Sequence, residues 1–403
     1  MPIAEISSRE TLKNLKSNKA HNWPAYPGTP SRLQPLTRPN ISPSFTLKPG
    51  EKIFTIGSCF ARNIEVSLEK LGFQIPTREV SVPYEEYQNS FLKGQSMPPL
   101  TLENEIINKY NPHAMLNEFR WSLDSQYTFP FEEAFISCGN DLWIDPHLIF
   151  YNPAPFEIVK QHRRMVSENT AQVRNCRVIV MTFGLAEAWW DTKTELYLNS
   201  TPPISVLEKE TNRFSLHVLS YGDIVSTFVE IHQLLKQNCP NDFRILLTVS
   251  PVPLIRTFTN QDILIANMYA KSVLRAAAQE IEYNFDNVDY FPSYESVVMS
   301  ERSLAWLSDQ RHVTEDLINF NVTRLYEAYI DPNYIEKFEI ENSNPNANAM
   351  SYTELTTILV ELENNYKEAM EHLHVKIASQ FEIIKDLKKL KHPEEIDDTG
   401  PSD

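Results

Sequence analysis

Apolar residues along this chain alternate between two spacings, and the alternation lays out a fold. Short continuous apolar runs at 52–57, 177–183, 244–250 and 287–291 have the character of strands buried on both faces. Between and after them, apolar residues recur every three or four positions. Phe60, Ile64, Leu68 and Leu71 predict a helix over 60–71, and Gly72 suits the position just past its end. Ile224, Phe228, Ile231 and Leu235 predict a helix over 222–237, and Ile265, Tyr269, Val273, Ala277 and Ile281 another over 262–282. Leu317, Phe320, Leu325 and Tyr329 mark a helix over 315–330 with Thr314 as its N-cap. This alternation predicts an α/β domain over 51–340, with a mostly parallel sheet and helices on both faces.

Other stretches break the rhythm. Residues 1–50 are rich in Pro, Ser, Asn and Lys and read as an N-terminal arm that packs through Trp23, Tyr26 and the nearby prolines. Residues 72–176 are too long for one crossover and form an insertion, with helical text at 103–123 and aromatic loops around Phe129, Phe131, Trp143, Phe150 and Tyr151. Such an insertion is expected to cover the active edge of the sheet. N-S-N-P-N-A-N-A marks a linker over 341–350. Leu355, Leu359, Leu362, Tyr366, Ala369 and Leu373 then predict a long helix or coiled coil over 351–391, through which the chain would self-associate. Ile377, Phe381, Ile384 and Leu387 continue it with a slip in phase, and 392–403 reads as a disordered acidic tail.

Composition narrows the classes. With 42% hydrophobic and 22% charged residues the chain is globular. A net charge of −16 argues against nucleic acid and anionic membranes as partners, and leaves a small-molecule or glycan substrate open. No apolar run approaches the length of a membrane span, and the first residues lack the apolar core of a signal peptide. Cys59, Cys138, Cys176 and Cys239 are widely spaced, which fits a reducing cytoplasm without disulfides. Cys176 and Cys239 read as structural, and His372 and His374 lie on different faces of a polar helix. No metal and no cofactor is expected.

The chemistry concentrates in I-F-T-I-G-S-C-F-A-R-N-I, residues 53–64, a strand, a turn at Gly57 and a helix start. The chain has only 9 glycines in 403 residues, roughly a third of the usual share of about 7%. Gly57 and Gly184 both directly follow strand runs, so each is expected to serve a close approach at the floor of one site. Ser58 and Cys59 are the candidate nucleophiles, at a sheet edge and a helix N-terminus. Beside Arg62 and a histidine, a thiol there is expected to have a lowered pKa. In W-L-S-D-Q-R-H-V-T, 306–314, Asp309 stands three residues before His312, so the carboxylate can orient the imidazole as acid and base. Ser250 ends a strand in S-P-V-P and is expected to line the site, whereas His217 reads as structural. Glu187, Trp189 and Trp190 sit where substrate would pass.

A Gly-Ser turn after the first strand and D-x-x-H before the last helix resemble SGNH/GDSL-type hydrolases. Gly57-Ser58-Cys59-Phe60-Ala61 moreover resembles the motif that names the GSCFA family. N-K-Y-N-P-H-A-M-L-N-E-F-R-W (108–121), T-F-G-L-A-E-A-W (182–189), S-P-V-P (250–253) and Y-F-P-S-Y-E (290–295) are similar to that family too, and the resemblance covers roughly 50–330. It implies a three-layer, flavodoxin-like sandwich. Matching G-D-S-L to Gly57–Phe60 puts Cys59 on the nucleophile, with Ser58 as the alternative. It implies an oxyanion hole from the backbone N–H groups of Gly184 and of the Ser58–Cys59 turn. The Asn that supplies a third donor in G-x-N-D is absent from Gly184-Leu185-Ala186-Glu187, and Asn152 is the candidate replacement.

These readings lead to an acyl-ester hydrolase or O-acyltransferase; the link to a glycan or sugar derivative is what the resemblance implies. A non-catalytic ligand-binding or scaffold protein is the alternative. A cysteine amidase would use the same acyl-enzyme chemistry, but nothing in the sequence marks a peptide groove.

Overall fold

The computed structural model describes residues 2–24, 32–80, 82, 102–148 and 152–330. The chain divides into two units, Met1–Tyr352 and Thr353–Asp403, and every described residue lies in the first. The expected linker, long helix and acidic tail, with His372 and His374, fall outside the described residues, as do Tyr26, Phe150 and Tyr151.

The four apolar runs form one parallel sheet: β1 (Ile53–Ile56), β2 (Val178–Phe183), β3 (Arg244–Val249) and β4 (Val288–Tyr290), in the order β1-β2-β3-β4. A parallel bridge from Lys52 to Gln74 continues the pairing beyond β1. The chain therefore steps outward from β1 to residue 74 and then returns to the other side of β1 for β2. That reversal is a topological switch point, and the crevice beyond the strand ends there is where α/β sheets bind ligands. It falls between Gly57 and Gly184.

The flanking helices are α1 (Ser8–Ser17), α2 (Cys59–Lys70), α3 (Pro112–Leu123), α4 (Phe156–Thr170), α5 (Tyr221–Asn238), α6 (Ile263–Asn284) and α7 (Glu315–Tyr329). Phe54, Ile56, Ile179, Met181, Phe183, Ile245, Leu247 and Val249 project to one side of the sheet, into a core with α3, α5 and α6. Each such buried aliphatic or aromatic side chain contributes about 1.5–3 kcal/mol. The alternate residues face the other layer, where Arg62 of α2 donates to Thr55 Oγ1 at 3.3 Å. Helix α2 packs on α7, and Ser67 Oγ donates to Asn319 Oδ1 at 3.0 Å. Gly72 ends α2 with φ +83°; its N–H reaches Glu69 O and that of Phe73 reaches Leu68 O, the two bonds of a Schellman cap. Thr314 caps α7 as expected, its Oγ1 accepting from Leu317 N–H.

Two features differ from the sequence reading. Within 1–50, Trp23 is 74% exposed, and residues 36–47 make the contact with the body instead. Leu36, Phe45 and Leu47 are buried, Ser44 N–H donates to Asp289, and Leu47 N–H to Tyr329 O. Two small antiparallel sheets are also absent from the sequence reading: Ile136–Gly139 with Leu142–Ile144 and Ala154–Pro155, and Glu187–Asp191 with Leu196–Tyr197 and Phe214–Val218. Three of their strands span only two or three residues, too few to carry a period.

Candidate active site

The site begins with close backbone packing. A Cβ at Gly57 would stand 2.6 Å from Thr182 Cβ and 3.1 Å from Ala61 Cβ. A Cβ at Gly184 would stand 2.8 Å from the Tyr110 carbonyl oxygen. Both glycines therefore serve close approach, one of strand on strand, the other of the insertion on a strand exit. Residues 108–110 cross both exits: Lys109 N–H donates to Gly57 O at 2.8 Å, and Leu185 N–H to Tyr110 O at 2.7 Å. Asn199 fixes this crossing, accepting from Tyr110 N–H and donating to Asn108 O, each at 2.8 Å.

Ser58 is the N-cap residue of α2, yet its side chain makes no capping bond. It is buried, and its Oγ donates to Ser250 Oγ at 3.4 Å. Cys59 opens the helix and keeps part of its surface exposed. Amides of the first helical turn have no intrahelical acceptor, and the N–H of Gly184 has no hydrogen-bond partner among the described residues. These are the donors an oxyanion would need.

The expected acidic thiol is not found. Burial pushes Cys59 up to about 11, reinforced by Glu105, against Arg311, the Phe60 N–H and Lys271. Arg62 does not serve it: the guanidinium turns to Glu65, at 2.6 Å, and to Thr55. Desolvation outweighs the helix N-terminus here because the compensating cations are spread around the thiol rather than bonded to it.

Asp309 and His312 lie on a tight turn closed by an antiparallel bridge between Trp306 and Val313. Gln310 takes the left-handed conformation, φ +57°, that the turn needs. Asp309 Oδ1 accepts from the N–H groups of Arg311 and His312 at 3.0 Å each, and Oδ2 meets His312 Nδ1 at 2.5 Å. Burial, the largest single influence, raises the carboxyl, and these bonds together outweigh it and hold it down to about 2. The His312 side chain is 11% exposed. Among the described residues no hydrogen bond joins His312 to Ser58 or Cys59. Arg311, its neighbour, acts electrostatically on Cys59, and its Nε is buried without an acceptor.

The remaining expected residues divide. Ser250 is in the site beside Ser58. Asn152 is half-buried and already engaged. Glu187 accepts from Thr257 Oγ1 at 2.6 Å and Phe258 N–H at 3.2 Å, so it pins a loop. Trp189 packs edge-on against Phe258 and against the cluster around Leu198 and Phe214. Trp190 stacks on His217, which also meets Tyr197 and Ser215, the structural role expected of that histidine. Cys176 is buried and Cys239 bonds Val173 O; burial pushes both thiols up to about 12.

Three site residues escape the sequence reading: Lys271, Glu105 and Tyr110. Lys271 is 1% exposed and donates to Gly184 O at 2.8 Å. Its helical spacing with Leu274 and Ala278 puts it on the buried face of α6, but the carbonyl it meets there belongs to a strand exit far away in the chain. Burial pushes Glu105 up to about 7 against Arg62, and raises Tyr110 well above the ordinary phenol.

The family model described as GSCFA family matches residues 52–325. No curated protein matches the chain.

Proposed function

This chain belongs to the GSCFA family, and from that premise we propose that it is an acyl-ester enzyme, a hydrolase or O-acyltransferase acting on a glycan or sugar derivative in the cytoplasm. The observation that carries the reading is the Asp309–His312 pair, preset by three hydrogen bonds on the same turn whose Arg311 acts on Cys59. With Nδ1 held by the carboxylate, Nε2 of His312 is the nitrogen left for proton transfer.

Cys59 Sγ attacks the acyl carbonyl, whose oxygen gathers charge against the amides of Gly184 and the Ser58–Cys59 turn. Asn152 is the candidate third donor. His312 removes the proton of the Cys59 thiol and later delivers one to the leaving group, and Asp309 orients it. Cys59 is favoured over Ser58 because Ser58 is buried with its Oγ on Ser250, while Cys59 is only partly buried. Glu187 and Trp189 enter as wall residues through the 257–258 loop they hold.

The test is intact mass after incubation with p-nitrophenyl acetate. An acetyl adduct on the wild type that disappears in Cys59→Ala and His312→Ala, and persists in Ser58→Ala, is the expected result. No adduct and no nitrophenol release overturns it. One observation favours a second reading, a ligand-binding or scaffold protein: the thiol is pushed up rather than down. That reading gains if ligands bind without any acyl adduct.

A further inference from the structure

Lys271 on α6 is 1% exposed, and a lysine this buried ordinarily has a carboxylate partner. This one makes a single hydrogen bond, Nζ donating to Gly184 O at 2.8 Å, and no ion pair among the described residues. The bond falls at the exit of β2, where the backbone groups can be followed one by one, since buried ones are nearly always paired. Phe183 O accepts from Ser250 N–H at 2.8 Å. Gly184 O accepts from Lys271, and Leu185 N–H donates to Tyr110 O at 2.7 Å. Gly184 is buried, and its N–H is the one group of this stretch with no partner among the described residues.

The planar trans peptide sets where that N–H points. In the Phe183–Gly184 peptide the C=O and N–H project to opposite sides. Phe183 O is directed towards β3, so the Gly184 N–H is directed towards β1, the strand that leads into the Ser58–Cys59 turn. Ser58 Cβ lies 3.7 Å from where a Cβ at Gly184 would stand, so the unmet donor belongs to a residue packed on that turn. The next peptide, Gly184–Leu185, is clamped from both sides, its oxygen on Lys271 and its N–H on Tyr110 O. Glycine turns freely about its backbone bonds. Without the lysine, a buried carbonyl oxygen beside the site would lack a donor.

We propose that Lys271 is a positioning residue that acts through Gly184: by holding the Gly184 carbonyl towards α6 it keeps the side of the site facing Ser58 and Cys59 lined by an N–H donor and free of a carbonyl. The inference rests on the acyl-ester reading, with Cys59 as nucleophile. When Sγ attacks, the S–C bond forms and the carbonyl π electrons move onto the acyl oxygen, which the Gly184 N–H meets. The same electrons return as the bond to the leaving oxygen breaks, and that oxygen takes the proton held by His312. A carbonyl turned into this place would repel the oxyanion. The lysine therefore matters to a reaction that forms an oxyanion at Cys59 and not to one that forms none.

The experiment compares two reactions at the same sulfur in Lys271→Met, which keeps an apolar stem and removes the donor. With p-nitrophenyl acetate, kcat is expected to fall about 10- to 100-fold, with KM within about threefold of wild type. Iodoacetamide forms an S–C bond and expels iodide without an oxyanion. Its rate at the Cys59 peptide, referred to exposed Cys138, is expected to stay within about threefold of wild type. An unchanged kcat overturns the proposal, and so does an equal fall in both reactions, which would mean that Lys271 only supports the packing around the thiol. If Lys271→Met does not fold, Lys271→Gln, polar but too short to reach Gly184 O, is held to the same two outcomes. A wild type that gives no acyl adduct overturns the acyl-ester reading and this inference with it, whereas an active wild type beside an unchanged variant overturns the inference alone.

Discussion

At residue 57 a single methyl group has no room, and the consequence is measurable. Gly57→Ala puts a carbon 2.6 Å from Thr182 Cβ, on backbone that cannot swing away. Overpacking of this kind costs about 1–3 kcal/mol, so the variant's urea midpoint is expected to fall by that amount. Asp309→Asn tests the other half of the site. A neutral amide cannot accept from the imidazole and both backbone N–H groups as an anion does, so the rate of acyl-enzyme formation is expected to drop on the order of 100-fold or more, with thermal stability little changed because the side chain is 44% exposed. A rate within about threefold of wild type, against that expected loss, would remove Asp309 from the mechanism. The Gly57–Cys59 turn and the Asp309–His312 spacing are legible because turns and i,i+3 pairs are local. Lys271 and Glu105 are not, since what makes them unusual is burial by residues distant in the chain. For the same reason the sequence points the wrong way on the acidity of Cys59: a helix start is visible in sequence, desolvation is not.

Elements are legible where a period runs over many residues. The central strands and the helices at α2, α5, α6 and α7 fall within two residues of their expected bounds. The small sheets escape because strands such as Leu196–Tyr197 have no period to detect. Helix α3 shows how an element serves the site. Asn111 Oδ1 accepts from Ala114 N–H at 2.8 Å as its N-cap, and Nδ2 donates to Leu198 O at 3.0 Å. That one side chain caps the start of α3 and ties it to Leu198, next to the Asn199 that holds the 108–110 crossing. Asn111→Ala loses a cap worth about 1 kcal/mol and leaves a buried carbonyl unmet for about 1–3 more. A fall of about 2–4 kcal/mol in chemical unfolding is expected, and a fall below about half a kcal/mol would show that the cap is dispensable.

For the whole molecule, the insertion is tied inward by buried charge. Glu118 on α3 pairs with Lys109 at 2.9 Å and with Arg163 of α4, and Arg163 lies 3.8 Å from Asp145. Lys109 is the residue before Tyr110, so this network anchors the crossing that covers the site. Against burial, Arg163 and Lys109 hold Glu118 down to about 2. A folded pKa below the unfolded one gives stability that is present above 4.5 and lost as pH falls through about 2. Asp145 runs the other way: burial raises it to about 6, so its contribution is full below 3.8 and lost as pH rises through about 6. Glu118→Gln strands two buried cations and is expected to lose about 3–5 kcal/mol at pH 7. The deficit against wild type should shrink as pH falls below 4.5; a deficit constant with pH would mean that packing, not charge, is what Glu118 supplies.

The packing of α7 on α2 sets an order of events during synthesis. The Gly57–Cys59 turn emerges from the ribosome near the start of the domain, and its electrostatic partners Lys271 and Arg311 more than two hundred residues later. Until α7 docks, with Ser67 on Asn319, Cys59 is an ordinary thiol on an unfinished chain. The surroundings of the Gly57–Cys59 turn are thus assembled from stretches far apart in the chain and are complete only when the domain is whole.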